Sequence, residues 1–312
     1  MDNFSRVQFE QPDLDKLSSS FTVVDLHFHT NHSDGLNSVK AVAERARELG
    51  IGVAITDHNE IQGAVEIAGE KDLLTIPGIE ITSAEGTHLL VYFYSIAGLK
   101  KFYKNDLKPF MGHDVMSSTA LTMEEIIQRA RKYNSLVVFP HPYSAMYTGV
   151  CNYQFSTERL ENLLRMCDGI EAINSENLKK WNLKSALLGF NLNKALTGGS
   201  DGHTLYHMGR VVTYSDCIPT RKSFLDSIKE KQTKVIGKEI SLLRKVTSNG
   251  VKLKTSLRNC PDLVEKNIKY GCKVINLKSR LLKENVIRHF NGKNRDEETI
   301  FHSNMMSYHI KS

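Results

Sequence analysis

The sequence predicts an α/β fold whose strands close, or nearly close, into a barrel. Three observations support this. Apolar strand-like runs alternate with amphipathic helical stretches, the pattern of a parallel sheet. Seven or eight such strands fit within roughly 230 residues, which suits a barrel. Histidine or acidic residues follow one strand after another, and in a barrel all those strand ends lie on one face.

Residues 21–26 have the β-branched and aromatic bias of a strand. A helix is expected over 38–49, with Ser38 as N-cap, an apolar stripe of Val39, Val42, Ala46 and Leu49, and Gly50 as its stop. A buried-type strand over 51–55 runs into Thr56-Asp57-His58. A short helix is expected over 61–68. Residues 73–81 are apolar and carry Pro77-Gly78 and then Glu80, and 87–94 form a strand opening beside His88. Residues 98–120 read as irregular. Thr122 and Glu125 have capping-box spacing at the head of a helix over 122–133. A strand over 136–139 ends in Pro140-His141-Pro142, and 143–156 read as a loop. A helix over 157–166, a strand over 169–173 ending near Asn174 and a helix over 177–190 with the only tryptophan, Trp181, follow. Residues 194–197 precede Gly198-Gly199-Ser200-Asp201-Gly202-His203. A strand over 211–214 and a helix over 221–230 complete the series.

At 312 residues, 40% hydrophobic and 24% charged, the composition is that of an ordinary globular protein. No apolar run approaches the roughly 20 residues needed to span a membrane. Residues 1–20 form a polar lead without the basic-then-apolar order of a signal peptide. The five cysteines are scattered and make no CxxC pair, which argues against a disulfide framework and for a reducing, cytoplasmic setting. The net charge of +6 is unevenly placed: residues 238–312 hold 16 Lys and Arg against 7 Asp and Glu, while the rest is mildly acidic. The expected division is a lead over 1–20, a barrel domain over 21–237 and a basic, mainly helical extension over 238–312, with helices at 262–270 and 277–289. That extension is either a docked helical module or an arm for nucleic acid.

The densest chemistry lies over 23–35, where Asp25, His27, His29, His32 and Asp34 crowd together. On a strand, Asp25, His27 and His29 share a face. Imidazole and carboxylate are ligands for Zn²⁺, Mn²⁺ or Fe²⁺. A barrel would add His58, Glu80, His88, His141, Asp201 and His203 from later strand ends.

These motifs resemble those of the polymerase and histidinol phosphatase (PHP) family of metal-dependent phosphoesterases. They stand in order as Asp25-Leu26-His27-Phe28-His29-Thr30 with Ser33-Asp34-Gly35, Thr56-Asp57-His58, Pro77-Gly78-Ile79-Glu80, His88-Leu89-Leu90, Phe139-Pro140-His141-Pro142 and Gly199-Ser200-Asp201-Gly202-His203. The resemblance spans about residues 21–215 and implies a distorted (β/α)₇ barrel holding divalent ions, commonly three. It implies a first ion on His27, His29, Glu80 and Asp201. Glu80 would bridge to a second on His88 and His141, and a third would lie on Asp34, His58 and His203. Asp25 and Asp57 would orient ligands, and His32 would not be one.

Such a cluster delivers hydroxide from a bridging water at neutral pH and clamps phosphate oxygens. The expected function is hydrolysis of a phosphorylated small molecule or nucleotide, without a nucleophilic side chain. Arg210, in a Gly-Arg pair like that of the family, is a candidate phosphate ligand, and His207 a candidate leaving-group acid. Tyr143 and Tyr147 are candidate pocket residues, and 98–120 a candidate lid. The alternatives are an oligonucleotide hydrolase that binds its strand through the basic extension, a non-catalytic metal-bound scaffold and an amide-bond hydrolase. The oligomeric state is open.

Overall fold

The computed structural model describes residues 6–144, 148–151 and 155–240. Tyr147 and residues 241–312, with both helices expected there, lie outside the described residues.

Among the described residues, ten strands and eight α-helices alternate along most of the chain. They are β1 (Val7–Gln8), α1 (Leu14–Ser18), β2 (Thr22–Phe28), α2 (Val39–Glu48), β3 (Gly52–Ile55), α3 (Gln62–Ile67), β4 (Gly78–Thr82), β5 (His88–Phe93), α4 (Ile96–Phe102) and α5 (Met123–Ala130). Then come β6 (Ser135–Phe139), α6 (Thr157–Met166), β7 (Gly169–Asn174), α7 (Lys179–Asn191), β8 (Ala195–Gly199), β9 (Val211–Ser215), α8 (Arg221–Lys229) and β10 (Lys234–Gly237). The caps follow the local sequence. Ser38 Oγ accepts the Ala41 N–H at 3.3 Å, and Thr122 and Glu125 make the expected capping box at the start of α5.

The strands form two five-stranded sheets, ordered β1-β10-β9-β2-β3 and β4-β5-β6-β7-β8. The sheets are mixed, which corrects the expectation of a parallel one. β5 is antiparallel to both β4 and β6, and β9 is antiparallel to β2 and β10. For β4 and β5 the reason lies in the length of their connection. Only residues 83–87 join β4 to β5, a turn tightened by the Gly86 N–H to Ser83 C=O bond at 2.9 Å, with Gly86 at φ 83°. A parallel crossover needs a dozen residues or more.

No continuous ladder closes the described strands into one barrel. Isolated parallel bridges join the sheets at two seams instead. Val53 pairs with Thr75 and His58 with Glu80 between β3 and β4, and Phe28 pairs with Gly202 between β2 and β8. These seams bring the carboxyl ends of β2, β3 and β8 up against Glu80.

The strand interiors are buried on both faces, as continuous apolar runs require. Helix α2 presses Val42, Ala43 and Ala46 into a core shared with Val53 and Ile55. Each valine or isoleucine there stabilises the fold by roughly 1.5–3 kcal/mol when fully buried. Residues 98–110 are helical rather than irregular. α4 continues through a π turn over Tyr103–Leu107 and a 3₁₀ turn over Lys108–Phe110. Leu99, Phe102 and Leu107 are buried there, and Asp106 takes Arg129 at 3.4 Å, Lys132 at 3.2 Å and the Tyr133 hydroxyl.

Candidate metal centre

Glu80, on β4, is the point on which the other residues converge. Its two carboxylate oxygens serve different neighbours. Oε1 lies 2.9 Å from His88 Nδ1 and 3.3 Å from His141 Nε2. Oε2 lies 3.3 Å from His27 Nε2, 3.4 Å from His29 Nε2 and 3.2 Å from His58 Nδ1. These residues come from β2, β4, β5 and the ends of β3 and β6, so only the assembled fold makes the cluster.

Among the described residues, three sets of potential ligand atoms each lie within 4.8 Å of one another. They are His27, His29, Glu80 and Asp201; His29, Asp34, His58 and His203; and His58, Glu80 and His88. The first holds all four residues expected at one ion. The second holds the three expected at another, together with His29. The third takes His58 beside Glu80 and His88, where His141 was expected. His141 instead reaches the cluster through Glu80 Oε1, with its ring 5.5 Å from that of His88. All nine expected residues therefore lie in one connected cluster. His32 lies apart from these sets and faces Glu66 at 3.3 Å.

The donor set fits divalent ions. His27 Nε2, His29 Nδ1, Asp34 Oδ1, His58 Nδ1, Glu80 Oε2 and His141 Nδ1 are buried atoms with no hydrogen-bond partner. His27 Nε2 and His58 Nδ1 face Glu80 Oε2 within 3.3 Å, yet without hydrogen-bond geometry. Buried polar atoms are normally satisfied, so lone pairs left facing one another are what shared cations would pair. The charge balance agrees. Burial disfavours the carboxylates, yet the histidines around them hold Asp34, Glu80 and Asp201 well below the usual carboxylate range. Burial likewise opposes charge on His27, but Asp201, Glu80 and Glu171 outweigh it and push its pKa well above the usual value. For His58 burial prevails, and its pKa falls to about 3.

Residues outside the expected set hold this geometry. Glu171, on β7, accepts from His27 Nδ1 at 2.9 Å through one oxygen and from the His141 backbone N–H at 2.8 Å through the other. Asn174 Nδ2 donates to Glu171 at 2.9 Å and to Asp201 Oδ2 at 3.2 Å. Asn59 accepts the Thr82 N–H at 3.0 Å and donates to the carbonyls of Val115 and Ser117, tying the candidate lid segment to the strand ends. A lone glutamate in the apolar run Gly-Ile-Glu-Ala-Ile was the available signal, since a buried charge needs partners. Asn59, His141 and Asp201 all have left-handed backbones, with φ of 48°, 29° and 51°. Such conformations cost side-chain-bearing residues of order 1–3 kcal/mol and persist where surrounding contacts impose them.

Asp25 and Asp57 act on the backbone and loops rather than on imidazole rings. Asp25 accepts the N–H groups of Ser200 at 2.9 Å and Gly209 at 3.0 Å, stapling β2 to the two segments after β8. Burial raises its pKa to about 6. Asp57 takes the Thr30 N–H at 2.7 Å, the Thr30 hydroxyl at 2.6 Å and the Ser33 hydroxyl at 2.7 Å, fixing the loop that carries Asp34. Gly199 is needed where it stands, because a Cβ there would lie 2.4 Å from His27 Cβ.

Arg210 and His207 belong to none of the three sets. Arg210 donates to the Tyr206 hydroxyl at 3.2 Å and stacks on that ring, and its Nε is buried without a hydrogen-bond partner. His207 Nδ1 lies 3.1 Å from Glu176, a residue the motifs did not indicate.

Comparison with known proteins now adds to this geometry. A family model described as the PHP domain matches residues 25–207. An uncharacterized protein of Methanocaldococcus jannaschii is 28% identical over 166 residues, covering 48% of this chain and 81% of that protein. Among solved structures, a two-domain protein of Bacteroides vulgatus containing a predicted PHP-like metal-dependent phosphoesterase superposes with a TM-score of 0.53 at 18% identity, covering 77% of this chain and 73% of the other. A lesion-specific endonuclease of Pyrococcus furiosus superposes with a TM-score of 0.57 at 17% identity. That match covers 69% of this chain but only 57% of the endonuclease. At these identities the structural likenesses establish a shared mixed α/β fold.

Proposed function

The chain belongs to the PHP domain family, and on that premise we propose that it is a metal-dependent phosphoesterase. The observation that carries this reading is the division of Glu80 between two groups of histidines, with unpaired donor atoms facing the space between them. His27, His29, Glu80 and Asp201 would hold one ion. Glu80, His88 and His141, with His58 beside them, would hold a second, and Asp34, His58 and His203 a third. Mn²⁺, Fe²⁺ and Zn²⁺ all suit this mixture of nitrogen and oxygen donors. When bound, such ions supply a water activated at neutral pH and positive charge for the phosphoryl oxygens.

The protein's own part is to place those donors. Glu171 fixes the Nδ1–H tautomer of His27 and turns its Nε2 toward Glu80 and Asp201. Asp57 holds the turn that delivers Asp34. Arg210 would bind a phosphate oxygen, and His207, facing Glu176, would give a proton to the leaving oxygen. Strands β2 to β8 follow one another around the cluster, and with the bridged seams they read as a distorted seven-stranded barrel. The protein would work in the cytoplasm. Among the described residues no helix is long and apolar enough to cross a membrane.

A second reading is hydrolysis of oligonucleotides. It rests on the fold shared with the P. furiosus endonuclease and with an endonuclease Q bound to a 27-mer duplex carrying an abasic lesion, which superposes with a TM-score of 0.54. The basic segment 238–312 would then hold the strand. A phosphate-release screen with Mn²⁺ across sugar phosphates, nucleotides and short oligonucleotides tests both readings. Turnover confined to oligonucleotides, and steeply suppressed by salt, favours the second. No release across the panel leaves only a non-catalytic scaffold.

A further inference from the structure

Two residues after His141 begins an aromatic and basic group that the metal chemistry does not use. Tyr143 follows His141 by two residues, so its Cα lies at most about 7.6 Å from that of His141. Its ring is nearly parallel to that of Trp181, with an interplanar angle of 8° and centroids 6.5 Å apart. Lys184 Nζ lies 5.2 Å from the Trp181 centroid and 5.6 Å from that of Tyr143, and Lys180 Nζ lies 5.0 Å from Trp181. Trp181 and Lys184 are three residues apart on α7, and Lys180 and Lys184 four, so all three share one side of the helix.

The connection back to the cluster is short. Asn177 donates to the Tyr143 carbonyl at 2.7 Å, which ties the loop after β6 to the entry of α7. Asn174, three residues earlier, donates to Asp201. Both rings and both lysines are at least partly exposed. The Trp181 Nε1–H is buried and has no hydrogen-bond partner.

From this arrangement we propose that Tyr143 and Trp181, with Lys180 and Lys184, form a subsite for the base of a nucleotide whose phosphate lies at the metal cluster. A planar base has π-faces that stack on such rings whatever its identity. The two ammonium groups suit the anionic backbone on either side of the base. A sugar phosphate without a base meets the lysines and the cluster but leaves both rings unused. The inference rests on the phosphoesterase reading of the cluster and narrows its substrate to nucleotides, whether single or at the end of a strand.

Trp181 is the only tryptophan in the chain, so its fluorescence reports on this subsite alone. The test titrates the full-length, Mn²⁺-loaded protein, reading the initial quench before turnover, with AMP and separately with ribose 5-phosphate. The expected result is saturable quenching by AMP and none by ribose 5-phosphate. Tyr143→Ala should weaken AMP binding by about tenfold, with an unchanged circular dichroism spectrum, and Tyr143→Phe should keep wild-type binding. Lys184→Ala should weaken AMP binding more at low salt than at high. A 5′-phosphorylated dinucleotide distinguishes the two sources, binding more tightly than AMP if a strand end is the ligand and equally if a mononucleotide is. Absence of quenching by millimolar AMP, or equal responses to AMP and ribose 5-phosphate, overturns the subsite. Phosphate release from saturating AMP by the Mn²⁺-loaded wild type and Tyr143→Ala tests the metal centre separately: release in both with no difference in AMP binding removes the subsite alone, and release in neither removes the phosphoesterase reading.

Discussion

Glu171 holds His27 by its Nδ1–H at 2.9 Å, and the same carboxylate anchors the His141 backbone N–H at 2.8 Å. One buried side chain on β7 thus orients a ring on β2 and pins a left-handed residue at the end of β6. Replacing it leaves the expected ligands in place but frees them to turn. Glu171→Gln should keep the fold while lowering metal affinity by about 10- to 100-fold. Competition against a chromogenic chelator measures this. Wild-type affinity in that variant would mean that Glu171 only packs.

Asp57 should act more locally. Its carboxylate ties Thr30 and Ser33, and so positions Asp34, while among the described residues its only link to the His27, His29, Glu80 and Asp201 set is its backbone carbonyl, which accepts the Glu80 N–H at 3.3 Å. Asp57→Ala should therefore reduce the bound metal by about one ion per chain, the one expected on Asp34, His58 and His203. It should also cost roughly 1–3 kcal/mol of stability through the Thr30 N–H left unpaired. Elemental analysis after gel filtration, with thermal unfolding alongside, checks both. Loss of all metal with the fold intact would contradict separate sites.

The cysteines offer a pH prediction that is independent of any metal. Burial raises the Cys167 thiol to about 12 and the Cys151 thiol to about 11. The thiolate is the reactive form and rises with pH, so at pH 8 both remain almost wholly protonated. Each should alkylate with iodoacetamide far more slowly than a free thiol of ordinary pKa, and faster only after unfolding. Peptide mass spectrometry of a labelling time course reads this out. Rapid modification of Cys167 in the folded protein would contradict its packing.

Much of the candidate centre was legible in the sequence because its residues stand in short motifs at strand ends. His27 and His29 share a strand face, and Asp201 and His203 follow an apolar run. Glu171 carried one signal, a charge inside an apolar strand, but nothing beside it or Asn174 in sequence marks what either touches. Their partners lie 144 and 27 residues away. Strand direction was hidden for a related reason. The apolar run through Glu80 and the strand at His88 look like two further α/β units, and only the five-residue turn between them implies a hairpin. The shortness of β1 and β10 left them unread, although they pair with each other and β10 extends the sheet through β9. Arg210 is suggested by its Gly-Arg pair and His207 by the same stretch, and the structure gives each a neighbour, Tyr206 and Glu176.

The central claim is that residues from distant strand ends act as one metal-dependent hydrolytic centre. Phosphate release by the Mn²⁺-loaded protein, compared with His29→Ala and Asp201→Ala at matched circular dichroism, tests it most directly. Wild-type turnover of at least one phosphoester, reduced by at least about a hundredfold in both variants, is the predicted result. Turnover that survives unchanged in either variant would contradict the assignment of the centre.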